Sequence, residues 1–213
     1  MNHKNITAKP RVSLVGKIVI LLATAVALLA TPLAAPVMPE IADEFTRQAQ
    51  TEWFARVIMA SIEFFFGETD ARFLVKFIIL SVPALFIIIG APLTGWMSDH
   101  WGRKSLLNGS LVIFGLAGVS TYWAETFWFM FLGRAVLGLA RAGIKTSTVA
   151  MVGDLFEGEE RKQFFGWQGS AVKLGGLGFM LLGGYLAEYG WQAPFLGYLI
   201  SFVLLPFVIF TIT

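Results

Sequence analysis

Apolar runs of membrane-crossing length recur along the chain, and short polar turns separate them. Charge is absent from 18–39, 77–98, 105–124 and 189–213. Each run meets the roughly 20 residues that a helix needs to cross a hydrocarbon core. Two further runs are apolar but hold cations: 126–152 contains Arg134, Arg141 and Lys145, and 163–187 contains Lys173. The pattern predicts an all-α membrane protein whose six transmembrane helices form one bundle over 18–213, preceded by a polar segment over 1–17. The first run is too long for a cleaved signal peptide and is read as a retained helix. Between the first two spans, 40–76 is a longer polar segment. Within it Trp53, Phe54, Val57, Ile58, Ile62 and Phe65 recur at helical spacing, which predicts an amphipathic helix at the outer interface.

Composition agrees with lipid as the solvent. Mean hydropathy is +0.71, and charged residues are 14% of the chain against the ~25% usual in soluble domains. The absence of Cys removes disulfides and thiolate chemistry, and the two histidines, His3 and His100, form no ligand cluster. No metal and no cofactor is expected. A net charge of +2 is too small for a nucleic-acid partner. No nucleophile–base pair suggests an enzyme. The bilayer itself is the expected partner.

The cations in short loops set the expected orientation. Lys4, Lys9, Arg11 and Lys17 precede the first span, Arg103 and Lys104 follow the second, and Arg161 and Lys162 follow the fourth. The opposite turns carry Glu125 and Glu188 and no cation. Both termini are expected in the cytoplasm, and the protein in the plasma (inner) membrane.

The turn after the second span is the most specific motif. Gly95, Asp99, Gly102, Arg103, Lys104 and Leu107 fall in the pattern Gly-x-x-x-Asp-x-x-Gly-Arg-Lys-x-x-Leu. In that pattern and position it resembles the signature loop of the major facilitator superfamily, with His100 where the family usually has Arg or Lys. The stretch from Leu29 to Pro39 is similar to the proline-rich end of the first helix in drug-exporting members. The run from Gly133 to Gly138 is similar to the family's Arg-containing motif, and Gly183–Phe195 to its junction of helices five and six. The resemblance implies the amino-terminal bundle of a carrier that exports a small organic solute by alternating access. It implies a gate in which Asp99 meets a helix end of the other bundle. Around the gate, Arg103 is expected to pair with Asp154 or Glu157, and Arg161 to complete the cluster. A proton is the candidate coupling ion. Family members carry twelve spans, so this chain reads as a fragment or interrupted product, with a dimerising half less favoured. A second bundle, or a second copy, is the expected partner. The alternative is a six-helix scaffold that does not transport.

Arg134, Gly138, Arg141 and Lys145 are spaced by four, three and four residues and share one helical face. A charge at the bilayer centre costs about 3 kcal/mol on insertion scales, so this face is expected to line a water-filled cavity. Counted along the antiparallel fifth span, Lys173 lies at a depth close to that of Arg141. The four cations form a candidate track for an anionic solute. No acid lies in the core of any span, which leaves Glu40 or Asp43 as the nearest carboxylates. Gly169, Gly176 and Gly183 repeat every seven residues and predict close helix packing.

Overall fold

The computed structural model describes residues 13–28, 30–67 and 70–211. The basic segment with Lys4, Lys9 and Arg11 lies outside the described residues, as do Leu29, Glu68 and Thr213. All regular structure among the described residues is helical: α1 (Leu14–Val26), α2 (Ala30–Ala34), α3 (Met38–Thr51), α4 (Trp53–Phe66), α5 (Ala71–Trp101), α6 (Arg103–Ser120), α7 (Phe127–Leu155), α8 (Gly158–Ala187) and α9 (Ile200–Thr211). Short 3-10 turns at Ala35–Val37, Thr121–Trp123 and Ala193–Leu199 join them.

Five helices are long and apolar enough to cross a membrane, and the bent pair Leu14–Val26 plus Thr31–Thr46 makes a sixth when it is counted as one span. The first span is therefore broken. Its halves meet at 46° just before Pro32, which has no backbone donor to give to the turn that precedes it. It also runs on past the expected end at Pro39, because α3 continues as an amphipathic helix with Ile41, Ala42 and Phe45 buried and Asp43 and Glu44 exposed. In contrast, α5 stays helical through Pro83 and Pro92.

Side-chain caps fix several starts. Ser13 Oγ accepts from Gly16 N–H at 3.1 Å, Asp70 from Arg72 N–H at 3.1 Å, and Thr126 from Phe129 N–H at 3.2 Å. Each satisfies one donor that a helix start leaves without a partner. Glu159 and Glu160 occupy the first turn of α8, where the helix dipole favours negative charge.

The core lies between α5, α6 and α7, where Leu107, Leu111, Phe114, Phe127, Met130 and Leu137 are buried. Gly138 lets α7 cross α5 closely: a Cβ there would stand 2.5 Å from the Pro83 carbonyl oxygen. One further element departs from expectation. Of the predicted glycine stripe on α8, only Gly183 is tightly packed, with a Cβ position 2.4 Å from the Leu33 carbonyl oxygen; Gly169 meets nothing within 4 Å. The reason is that α8 stands at the edge of the bundle, and Phe164, Gln168 and Gly183 are its buried residues.

Candidate functional site

Two constellations stand out: a charged turn at one end of the bundle and a cavity walled in part by the buried Arg141 and the exposed Lys145. The turn is built on Gly102, whose φ of +85° favours glycine and ends α5 while α6 begins at the next residue. Gly95 sits two turns earlier with open space around it. Arg103 reaches from α6 to the end of α7, where it pairs with the Asp154 carboxylate and donates to the Ala150 carbonyl at 2.7 Å. Arg161, on α8, donates to the Gly153 carbonyl at 2.7 Å and the Phe156 carbonyl at 2.8 Å, so it ties the carbonyls that α7 leaves exposed to the start of the next helix. Lys17 closes the same end by an ion pair with Glu160 at 2.8 Å and lies 5.0 Å from the centre of the Phe156 ring.

Lys104 is half-buried beside Arg103, and Glu157 is exposed at the start of α8. Asp99 is exposed on the last turn of α5 and forms no ion pair among the described residues. Next to it, His100 stacks on Trp96 with ring centres 4.3 Å apart, and its Nδ1 lies 2.9 Å from the Trp96 carbonyl oxygen.

The cavity, of about 210 Å³, is enclosed by α1, α5, α7 and α8. Thr24, Ile87, Arg141, Lys145, Thr148 and Val172 contribute to its wall. No carboxylate lines it. Arg141 is 9% exposed and Lys145 is exposed. The hydroxyls are pre-positioned: Thr24 donates to the Ile20 carbonyl at 2.8 Å and Thr148 to the Ile144 carbonyl at 2.9 Å. Gln168 Nε2 donates to Thr24 Oγ1 at 2.9 Å and fastens α8 to α1 at this level. Neither Thr24 nor Gln168 stood out in the sequence, since a single polar residue in an apolar run carries no signal until its partner is known.

The other expected cations lie elsewhere. Lys173 is exposed on α8 and does not line the cavity, although its neighbour Val172 does. Arg134 shares the α7 face of Arg141 but is packed at 2% exposure against the last span. Its guanidinium carbon lies 5.1 Å from the centre of the Phe195 ring, and the buried Tyr198 hydroxyl accepts a hydrogen bond from it. Its Nε and one terminal nitrogen have no partner among the described residues. A desolvated cation–π contact is worth about 2 kcal/mol or more, which offsets part of the cost of burying this charge. Of the two edge carboxylates, Glu40 is exposed and Asp43 pairs with Arg72 at 2.7 Å.

A helical bundle with five apolar spans and a sixth formed by a bent pair, a cavity walled in part by Arg141 and Lys145, and an ion-paired turn at one end defines a multi-pass membrane protein. The chain belongs to the Major Facilitator Superfamily, whose family model matches residues 20–213. It is 33% identical over 125 residues to the bacillibactin exporter of Bacillus subtilis (strain 168), a match covering 55% of this chain and 31% of that protein. It is 27% identical over 179 residues to the class H tetracycline resistance protein of Pasteurella multocida, covering 84% of this chain and 39% of the relative. The chain thus spans well under two thirds of these relatives. Among solved structures, the human organic anion transporter MFSD10 (TETRAN) matches the fold with a TM-score of 0.76 at 22% identity, over 92% of this chain and 47% of that one.

Proposed function

We propose that this chain is one bundle of a secondary carrier that exports a small organic solute by alternating access, with a preference for anions. The observation that carries the reading is the cavity in which Arg141 and Lys145 converge with two threonines and no carboxylate. Positive charge held in a partly dry site attracts an anion more strongly than it does in water. The fork of Arg141 suits a carboxylate or phosphate group, and Lys145 adds a mobile point charge nearer the cavity mouth. The bacillibactin exporter among its relatives supports efflux as the direction. The site carries out binding and passage, not bond chemistry, so the reading is of a carrier and not an enzyme.

Alternating access needs a second bundle, either in the same polypeptide or as a second copy. The exposed length of α8 supports this, since few of its residues are covered by the first bundle. Asp99 supports it too. Its exposed carboxylate stands beside an ion-paired cluster and serves as a latch for a helix start in the other bundle, worth roughly 0.3 to 1 kcal/mol at an amide-rich terminus. Arg103, Asp154 and Arg161 hold the turn that presents it. The expected setting is the plasma (inner) membrane with the charged turn and both termini in the cytoplasm; a proton from outside is the candidate coupling ion.

Export of labelled organic anions and cations from proteoliposomes containing the complete protein tests the reading. Net flux above empty vesicles is expected. Flat traces for every solute under both an imposed proton gradient and simple counterflow would instead support a non-transporting scaffold.

A further inference from the structure

The α4 helix is apolar on two opposite sides. Of its 14 residues, Arg56, Ser61 and Glu63 are the polar ones. One side is packed into the bundle: Ala55 and Met59 are buried, and Phe54, Ile58 and Ile62 pack against the core. On the other side Trp53, Val57, Ala60 and Phe64 form an exposed stripe spaced by four, three and four residues, with Trp53 78%, Val57 58% and Phe64 85% exposed. A helix that is apolar all round is stable where no side meets water.

We propose that α4 lies inside the leaflet opposite the charged turn, as a non-spanning helix whose Trp53–Phe64 stripe contacts lipid acyl chains. Its length of about 21 Å at 1.5 Å per residue is too short to cross a core of about 30 Å. At about 100° per residue, the exposed stripe sits opposite the packed side, and Arg56 and Glu63 share a line roughly a quarter turn from both. That line is the edge from which long charged side chains reach the headgroups. The third polar residue hides its hydroxyl: Ser61 Oγ donates to the Val57 carbonyl at 2.8 Å, an arrangement suited to a place without water.

The stripe adjoins an aromatic belt. Its Trp53 meets Phe54 edge-on with ring centres 6.4 Å apart, Phe54 on the packed side meets Trp128 at 4.4 Å, and Trp128 stacks on Phe131 at 5.8 Å. Exposed Trp123, Trp128 and Phe129 mark the level at which α6 ends and α7 begins, where aromatic rings favour the membrane interface. Lipid at this level meets the α4 stripe without a break.

This chain has no Cys, so once any cysteine in the rest of the complete protein is replaced, one cysteine introduced here takes one spin label. Labels at V57C and F64C in the complete protein, reconstituted in phosphatidylcholine–phosphatidylglycerol vesicles, are compared with I88C on the exposed face of α5 and E188C in the α8 turn. Collision with oxygen, which partitions into lipid, is expected to exceed collision with a water-soluble nickel chelate several-fold at Val57 and Phe64, as at Ile88. A nickel-dominated ratio like that of Glu188 would place the stripe in water and overturn the proposal. Protection from both reagents would place it under protein, a second bundle or another copy, and would overturn it equally.

Discussion

Arg141 and Arg134 show how one helical face can hold two cations with different work. Both are buried on α7, but Arg141 looks into the cavity and Arg134 is locked between Phe195 and Tyr198. The periodicity that put them on one face was legible in the sequence; the division of labour was not, because the partners of Arg134 lie some 60 residues away. Lys173 illustrates the same limit. Counting residues from a span end gives depth, but a shift of one residue turns a side chain by about 100°, and here Val172 takes the cavity position. Lys173→Ala is therefore expected to leave solute selectivity close to wild type, measured as the ratio of anion to cation flux. Glu52 makes a different prediction. At the α3–α4 junction, burial pushes its carboxyl above the usual range, and Oε2 has no hydrogen bond among the described residues. A folded-state pKa raised above the unfolded value means that the fold holds the proton more tightly, so stability falls as pH rises through that window. Glu52→Gln is expected to raise the melting midpoint at neutral pH and to flatten its dependence between acidic and neutral pH, followed by tryptophan fluorescence. A midpoint that still drops in parallel with wild type would assign the pH dependence to another group.

At the scale of elements, the spans were the most legible feature, since hydropathy summed over twenty residues outweighs any single side chain. The first span breaks near Pro32, whereas α5 stays helical through Pro83 and Pro92, with α7 packed closely against it at Pro83. That contact rests on Gly138. Gly138→Val would push two methyl groups into the Pro83 backbone and Phe86, and overpacking of this kind costs about 1–3 kcal/mol. The expected outcome is a lower melting midpoint with reduced yield; Gly169→Val, in open space on α8, serves as the neutral comparison. The helix in 40–76 was legible as a helix but not in its facing. Trp53, Phe54, Val57, Ile58 and Ile62 read as one apolar surface, whereas the fold divides them between core and exterior. Spacings of three and four residues recur on any side of a helix that is apolar nearly all round, so they name a helix without naming its inner face.

At the scale of the molecule, the charged turn and the cavity act on different quantities. In the proposed carrier, the turn sets which side of the membrane the bundle opens to, and the cavity sets what enters. Removing the Asp99 charge is expected to shift the balance of the two conformations by the modest energy of a carboxylate at a helix start, with solute preference retained. Asp99→Asn should thus lower the rates of anion and cation flux by the same factor; a change in their ratio would mean that Asp99 touches solute. Asp154→Ala frees Arg103 from an ion pair that is partly exposed and worth about 0–1 kcal/mol, so its effect is expected on transport rate more than on folding.

In the proposed carrier, Arg141 and Lys145 choose the solute by charge. The most direct measurement of that choice is the flux of an organic anion and an organic cation of similar size through proteoliposomes bearing the complete protein, wild type against Arg141→Ala and Lys145→Ala. Arg141→Ala is expected to lose anion flux about tenfold, the equivalent of about 1.4 kcal/mol, with a smaller loss for Lys145→Ala and cation flux preserved in both. Equal loss for the two charge classes, in protein that inserts and melts normally, would contradict it.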